Sequence, residues 1–224
     1  MRAEGLRGLS IVVAALAAFL LAACGKSSPQ RTPTSTTARD LAPVVVQGSV
    51  SLATRNTTRL GGPDPATDAA AVAQAVYPGL TPASRPQVVV LADEGDWLGA
   101  LAAASLAGSP LNAPLLYSHG GELPEVTRLT LAALHPRGAA SLGATQVIRI
   151  GTAAAPPAGL RTLSVAGADP ASTAAAILAL TPTGRAAKQV IIVPSNAPQA
   201  NQMPAAGLAA ESGAPILYVS RSCP

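Results

Sequence analysis

Val88-Val89-Val90-Leu91-Ala92-Asp93-Glu94-Gly95-Asp96-Trp97, leading into Ala100-Leu101-Ala102-Ala103-Ala104-Ser105-Leu106-Ala107, decides the fold class of this chain. Val88 to Leu91 is a short, wholly apolar and β-branched run, bounded by Pro86 and by the acidic turn from Asp93 to Asp96. A strand with no polar alternation is one buried on both faces, as in a parallel sheet covered by helices. Trp97 to Ala107 then reads as an Ala/Leu-rich helix. Pro114-Leu115-Leu116-Tyr117 is a second strand, Pro124 to Leu134 a second helix, and Gln146 to Ile150 a third strand. Strand and helix alternate with short turns, which implies parallel pairing and right-handed crossovers. Upstream, Asp64 caps a helix that has Pro65 in its first position and runs to about Val76.

Further along the chain the pattern recurs. Asp64-Pro65-Ala66-Thr67 is answered by Asp169-Pro170-Ala171-Ser172, which opens a helix over Thr173 to Leu180. Val88 to Leu91 is answered by Val190-Ile191-Ile192-Val193, and Ala113-Pro114-Leu115-Leu116-Tyr117 by Ala214-Pro215-Ile216-Leu217-Tyr218. The offsets are 105, 102 and 101 residues, drifting as loop trimming would make them. Three matched elements in one order read as a duplication. The second copy stops after its second strand, without a counterpart of Pro124 to Ile150.

Composition sets the outer bounds. The chain has 224 residues, 49% hydrophobic, 12% charged and 2% aromatic. That is too apolar for a mainly disordered protein and long enough for a sizeable core. The balance of 15 Lys+Arg against 11 Asp+Glu contains no basic cluster, and five aromatic residues give little surface for base stacking, so nucleic acid is not an expected partner. Two His and two Cys supply no zinc site.

The first residues set the compartment. Arg2 and Arg7 precede a thirteen-residue apolar run, Ile11 to Ala23, too short to span a bilayer comfortably and the right size for a signal-peptide core. It ends in Leu21-Ala22-Ala23-Cys24-Gly25, which resembles a bacterial lipobox, whose Cys is lipidated and becomes the mature N-terminus. The alternative is an ordinary secretory signal with an incidental Cys24. Removing residues 1–23 leaves 13 Lys+Arg and 10 Asp+Glu, a formal +3. Residues 24–43 read as a disordered tether with a typical reach of roughly 20–25 Å. Cys223 is then left alone near the C-terminus. The expected location is the outer face of the cell membrane, at the wall.

Asn56-Thr57-Thr58-Arg59-Leu60-Gly61-Gly62, the Asp-capped Ala helix, and Leu91-Ala92 leading through Asp96-Trp97 into Ala100 to Ala107 resemble the cell wall-binding repeat type 2 family. Ala113-Pro114-Leu115-Leu116 and Gln146-Val147-Ile148-Arg149-Ile150-Gly151 fit the same repeat in the same order, so the resemblance covers roughly Gly48 to Ser220. It implies an α/β fold of tandem Rossmann-like units, with parallel sheets flanked by Ala-rich helices. It also implies association around a pseudo-threefold axis, with non-covalent binding of anionic cell-wall glycopolymer and no catalysis. On this reading residues 44–155 form a first unit and 156–224 an incomplete second one. Two departures stand out: Gly99 occupies a position where the family commonly carries an acidic residue, and Ala197 to Pro204 lacks the acidic signature altogether. A missing third unit would leave sheet edge exposed, which points to possible self-association.

Candidate polymer contacts are Arg55, Arg59 and Arg128, since a guanidinium grips phosphate or carboxylate bidentately, together with Asp96 and Trp97. Arg85, Arg137, Arg149 and Arg161 belong to the same set, whose plain alternative is a scatter of solubilising charge. Trp97 could stack on a sugar ring or anchor its helix in the core. Asp93, Glu94 and Asp96 could hold Mg²⁺ or Ca²⁺ or simply form a helix-capping turn. Ser118-His119-Gly120-Gly121 superficially matches a glycine-rich oxyanion loop, but there is no G-x-S-x-G elbow and His135 has no evident partner, so the segment reads as a turn. No cofactor motif follows any strand. The expected function is a lipid-anchored, non-enzymatic envelope protein. The alternatives are a solute-binding lipoprotein and a truncated product with no independent function.

Overall fold

The computed structural model describes residues 48–53, 55, 57–180 and 188–220. The signal segment, Cys24, the tether and Cys223 lie outside the described residues.

The chain enters through a hairpin of β1 (Val50–Ala53) and β2 (Thr58–Gly61), paired antiparallel with Leu52 opposite Arg59. Helix α1 (Pro65–Val76) follows. Asp64 caps it through a 2.8 Å bond from the Thr67 N–H, with Pro65 where its missing N–H costs nothing. Then come β3 (Val89–Asp93), α2 (Trp97–Ala103) with a 3₁₀ turn to Ala107, β4 (Leu115–Ser118), α3 (Glu125–Leu134) and β5 (Val147–Ile150). Beyond these lie β6 (Thr162–Val165), α4 (Pro170–Leu178), β7 (Ile191–Pro194), α5 (Gln199–Gln202), α6 (Pro204–Ser212) and β8 (Ile216–Val219).

Four strands form one parallel sheet in the order β4-β3-β5-β6, while β7 and β8 form a separate parallel pair. The central strand is the one the opening stretch specifies: every residue of β3 is buried. Alternate side chains supply two layers. Val89 and Leu91 face Leu116, Leu131, Leu134 and Val147, with Ala73 of α1 packed over them. Val88, Val90 and Ala92 face Ile148, Ile150 and the alanines of α2, and this second layer runs on to Ile177, Val193 and Ile216. Burying one such Leu, Ile or Val side chain contributes about 1.5–3 kcal/mol, so this two-sided core is what holds the sheet. Polar pins fix the first helix layer: Gln74 Nε2 donates to Thr130 Oγ1 at 2.8 Å, and Thr127 Oγ1 donates to the Tyr117 carbonyl at 2.7 Å.

Two features depart from the sequence reading. First, β6 follows residue 155 in the chain but is hydrogen-bonded to β5 inside the first sheet, Ile148 lying opposite Leu163. Second, strand pairing sets Val90 against Leu115 and Ile191 against Ile216, a separation of 25 residues in both cases. On the duplication reading, Val90 then answers to Ile191 at an offset of 101, one less than the 102 of the sequence comparison. One residue of slip exchanges the two faces of a strand. With the register corrected, Leu91 (fully buried) corresponds to Ile192, which is 66% exposed.

Leu91 is covered on its face by Leu131 and Leu134 of α3, and no such layer of described residues covers Ile192. β3 is flanked by β4 and β5, whereas among the described residues β7 pairs only with β8. Ile191 and Ser195 direct their N–H groups to the carbonyls of Pro215 and Val219, so the backbone of Ile192 and Pro194 faces the open side. Proline has no N–H to offer there, which blunts the edge.

Candidate functional site

Parallel strands deliver their carboxyl ends to one rim, where α/β folds gather functional groups. The register that puts Asp93 beside Ser118 necessarily puts the next residues, Glu94 and His119, beside each other as well. Asp93, 5% exposed, accepts from Gly95 N–H at 3.0 Å through Oδ1. Its Oδ2 accepts from Ser118 Oγ at 2.9 Å and from Gly121 N–H at 3.2 Å. Burial pushes its carboxyl up, but the hydrogen bonds from Gly121, Ser118, Gly95 and Gly120 outweigh it and hold the group below its ordinary value. Ser118 Oγ in turn accepts from Ala154 N–H at 3.0 Å, locking the loop after β5 to the end of β4.

This arrangement assigns the three acids to separate tasks. Asp93 is an internal latch. Glu94 contacts Nδ1 of His119, an exposed imidazole. Asp96 caps α2 by accepting from Gly99 N–H at 3.0 Å, and a Cβ on Gly99 would come within 2.4 Å of Asp96 Oδ2, so glycine suits this cap. A Cβ on Gly151 would come within 2.4 Å of Asp96 Oδ2, so the loop after β5 closes over this cap. Among the described residues no group of three His, Cys, Asp or Glu side chains converges to hold a metal ion. Ser118 is fully buried with its proton committed to Asp93, so it offers no nucleophile. His135 lies at the carboxyl end of α3 in a left-handed conformation, φ 44°.

The remaining candidates do not converge on this rim. Trp97 opens α2, partly buried and packed on the second core layer, which favours the anchoring role. Arg128 is on α3, exposed and bound by Glu125 three residues earlier, its Nε donating at 2.7 Å. Arg149 and Arg85 donate to the carbonyls of Ala153 and Gly79, and Arg161 Nη1 to Gly143 at 3.0 Å. The guanidinium groups of Arg149, Arg85 and Arg161 brace the protein's own loops. Arg55 and Arg59 differ. Both are exposed on the entry hairpin, and neither is in an ion pair with another described residue. Arg59 borders a shallow depression of about 490 Å³ with Gly48, Leu52, Gly61, Gly62 and Pro63. The sequence reading left His119 as a loop residue, and only the pairing of β3 with β4 reveals its place beside Glu94.

A larger, almost wholly apolar groove of about 600 Å³ opens elsewhere, between α1 and the outer edge of β4, and is lined by Ala69, Val72, Val76, Tyr77, Leu115 and Tyr117 among others. No candidate residue from the sequence lies in it.

With this geometry established, the chain can be set beside known proteins. No family model and no curated protein matches it. Among solved structures it is similar to Cwp8 from Clostridium difficile, with TM-score 0.57 and 21% identity, covering 73% of this chain and 27% of that one. It is also similar to Cwp6 from Clostridium difficile, with TM-score 0.59 and 17% identity, covering 76% of this chain and 28% of that one. The chain thus spans little more than a quarter of either neighbour's length. At this identity the likeness defines a class of fold: a mixed α/β protein with a helix-flanked parallel sheet.

Proposed function

We propose that this chain is a cell-wall-associated, non-enzymatic surface protein made of one full and one partial type 2 cell wall-binding unit, held at the membrane through lipidated Cys24. Its neighbours Cwp8 and Cwp6 are cell wall proteins, and the shared fold over about three quarters of this chain is the observation that carries the reading. The residue-level resemblance running from Asn56 to Ile150 supports it, as do the equal 25-residue registers of β3/β4 and β7/β8. Its surface chemistry fits an anionic glycopolymer. Arg55 and Arg59 point a pair of uncommitted guanidinium groups outward from one hairpin, and Arg128 can be drawn from an exposed pair with Glu125 at little cost. The strand-end acids are engaged in holding loops, which leaves the arginine faces as the polymer contact. Asp96 and Trp97 then act by fixing α2 rather than by touching the polymer.

The test is co-sedimentation of the unlipidated chain with purified cell walls. The expected result is binding that is released by salt and lost when the anionic polymers are stripped from the walls. Binding that survives stripping would overturn the assignment of the ligand.

A further inference from the structure

Among the described residues, two of the three sheets are mere pairs: β1 with β2, and β7 with β8. A two-stranded sheet has little stability of its own and gains it from further strands or packed helices. The four-stranded sheet shows how this chain supplies a further strand. There β6, the last strand to arrive, pairs parallel with β5, closes the border of the sheet and leads directly into α4. Taking the duplication proposed above, β2 is the counterpart of β6. The 105-residue offset of the two capped helices maps Arg59-Leu60-Gly61-Gly62 onto Ser164-Val165-Ala166-Gly167. The turns that follow match atom for atom: the Asp68 carboxylate accepts from Gly62 N–H and the Thr173 hydroxyl from Gly167 N–H, positions again 105 apart. A Cβ on either glycine would come within 2.4 Å of the helix's first turn, at Thr67 Cγ2 and at Ser172 Oγ, once more 105 apart.

β6 closes a sheet built from earlier strands, whereas β2 has no earlier sheet to close and folds onto β1. The second half carries the opposite lack. Where β3 has β5 and then β6 beside it, β7 has no described neighbour. The Ile192 backbone faces that side, and its side chain is 66% exposed, as is Leu52 of β1 at 63%. We infer that the β1–β2 hairpin of one copy adds to the open edge of β7 in a second copy, with β1 against β7 and β2 in the place that β6 holds in the first sheet. The joined sheet has the order β8-β7-β1-β2, four strands matching β4-β3-β5-β6. In it β2 runs parallel to β7, as β6 does to β3, and β1, antiparallel to β2, runs antiparallel to β7. Pro194 limits the N–H donors of that edge, which fits a partner as short as the four residues of β1. The occupant is a second copy because each copy holds both the counterpart of the closing strand and the edge that lacks one. The contact uses two different surfaces, so it joins copies either into a closed ring or into an open row.

The inference rests on the duplication within the proposed reading, and the experiment separates the two. Sedimentation velocity of the full chain in mild detergent is expected to show a mass that rises with concentration from one chain to two or more. Ile192→Lys and Leu52→Lys each place a charge on an exposed strand position, which blocks edge pairing and leaves the core untouched, so both variants are expected to fold. Each variant alone is expected to be monomeric. An equimolar mixture of the two is expected to recover dimers, because it still holds one intact hairpin and one intact edge. Hydrogen exchange locates the contact: amides of residues 50–53 and 191–194 are expected to slow about tenfold or more in assembling samples. A monomeric wild type at the highest accessible concentration overturns the inference. So does assembly that survives either variant, a mixture that stays monomeric, or assembly without protection of those two strands. Co-sedimentation with walls reports on the polymer separately, and Ile192→Lys should bind walls as the wild type does. A wild type that binds walls as a monomer refutes strand addition alone, whereas one that assembles without binding walls refutes the wall reading alone.

Discussion

Replacing Asp93 by Asn tests the reading of this carboxylate as the latch between three loops. The substitution keeps shape and volume while removing the charge. In the native protein one oxygen accepts from Gly95 N–H at 3.0 Å, and the other from Ser118 Oγ at 2.9 Å and Gly121 N–H at 3.2 Å. An amide can satisfy only one of those two positions, because its NH₂ must then meet a donor. Bonds to a charged group contribute about 1.5–3 kcal/mol against about 1 for neutral ones, so weakening three and spoiling at least one costs roughly 2–4 kcal/mol. For a body of this size that lowers the thermal midpoint by roughly 5–15 °C. The effect has a pH signature. Hydrogen bonding holds the Asp93 carboxyl below its ordinary value, so its contribution is complete above the ordinary carboxyl range and is lost as pH falls through the folded value. Thermal unfolding followed by circular dichroism should therefore show a wide gap between Asp93→Asn and wild type near neutrality, closing in acid as pH falls through the folded value. Equal midpoints at neutral pH, or a gap that stays constant into acid, would refute the argument.

Other outcomes follow from single contacts. Asp64→Ala removes the cap of α1, and a loss of about 1 kcal/mol in urea unfolding is expected. Gly151→Ala forces a Cβ into Asp96 Oδ2 at a residue with φ 55°, so a lower midpoint than for Gly143→Ala is expected, since Gly143 is equally left-handed but its added Cβ meets open space. Tyr218→Phe loses the bond to the Leu98 carbonyl, with an expected cost of about 1 kcal/mol and no change in wall binding. Arg55→Ala with Arg59→Ala should leave the midpoint unchanged and reduce co-sedimentation with walls several-fold, measured at low salt where exposed charges act most strongly.

How much was legible depends on what each signal needs. Asp64-Pro65 and Asp169-Pro170 announce their helices because a cap and a proline act within one turn; the first starts at Pro65 as read, and the second starts at Pro170, three residues before the Thr173 that the sequence reading gave. Val88 to Leu91 announces a buried strand because burial on two faces demands a continuous apolar run. The same uniformity hides the register: three valines in a row carry no alternation, and only the strand pairing that sets Val90 opposite Leu115 fixes it. The hairpin of β1 and β2 escaped because Thr58-Arg59-Leu60-Gly61 is short and mixed, without the apolar pattern of a strand. At the strand ends, the acids were visible as a capping turn, but the partners of Asp93 lie 25 and 28 residues away, beyond what spacing can show. The arginines looked alike in sequence. Carbonyl acceptors for Arg85, Arg149 and Arg161 separate them from Arg55 and Arg59, and that sorting belongs to tertiary structure.

The placement of β6 has a consequence for how such a chain can be shortened or shuffled. The loop between β5 and β6 is not a seam at which the folded body comes apart, since β6 closes the border of the sheet that holds β5. Severing the polypeptide between Gly151 and Arg161 would strip β5 of its outer neighbour and leave the excised piece without the strand it lends. A cut in that loop therefore damages both sides of it.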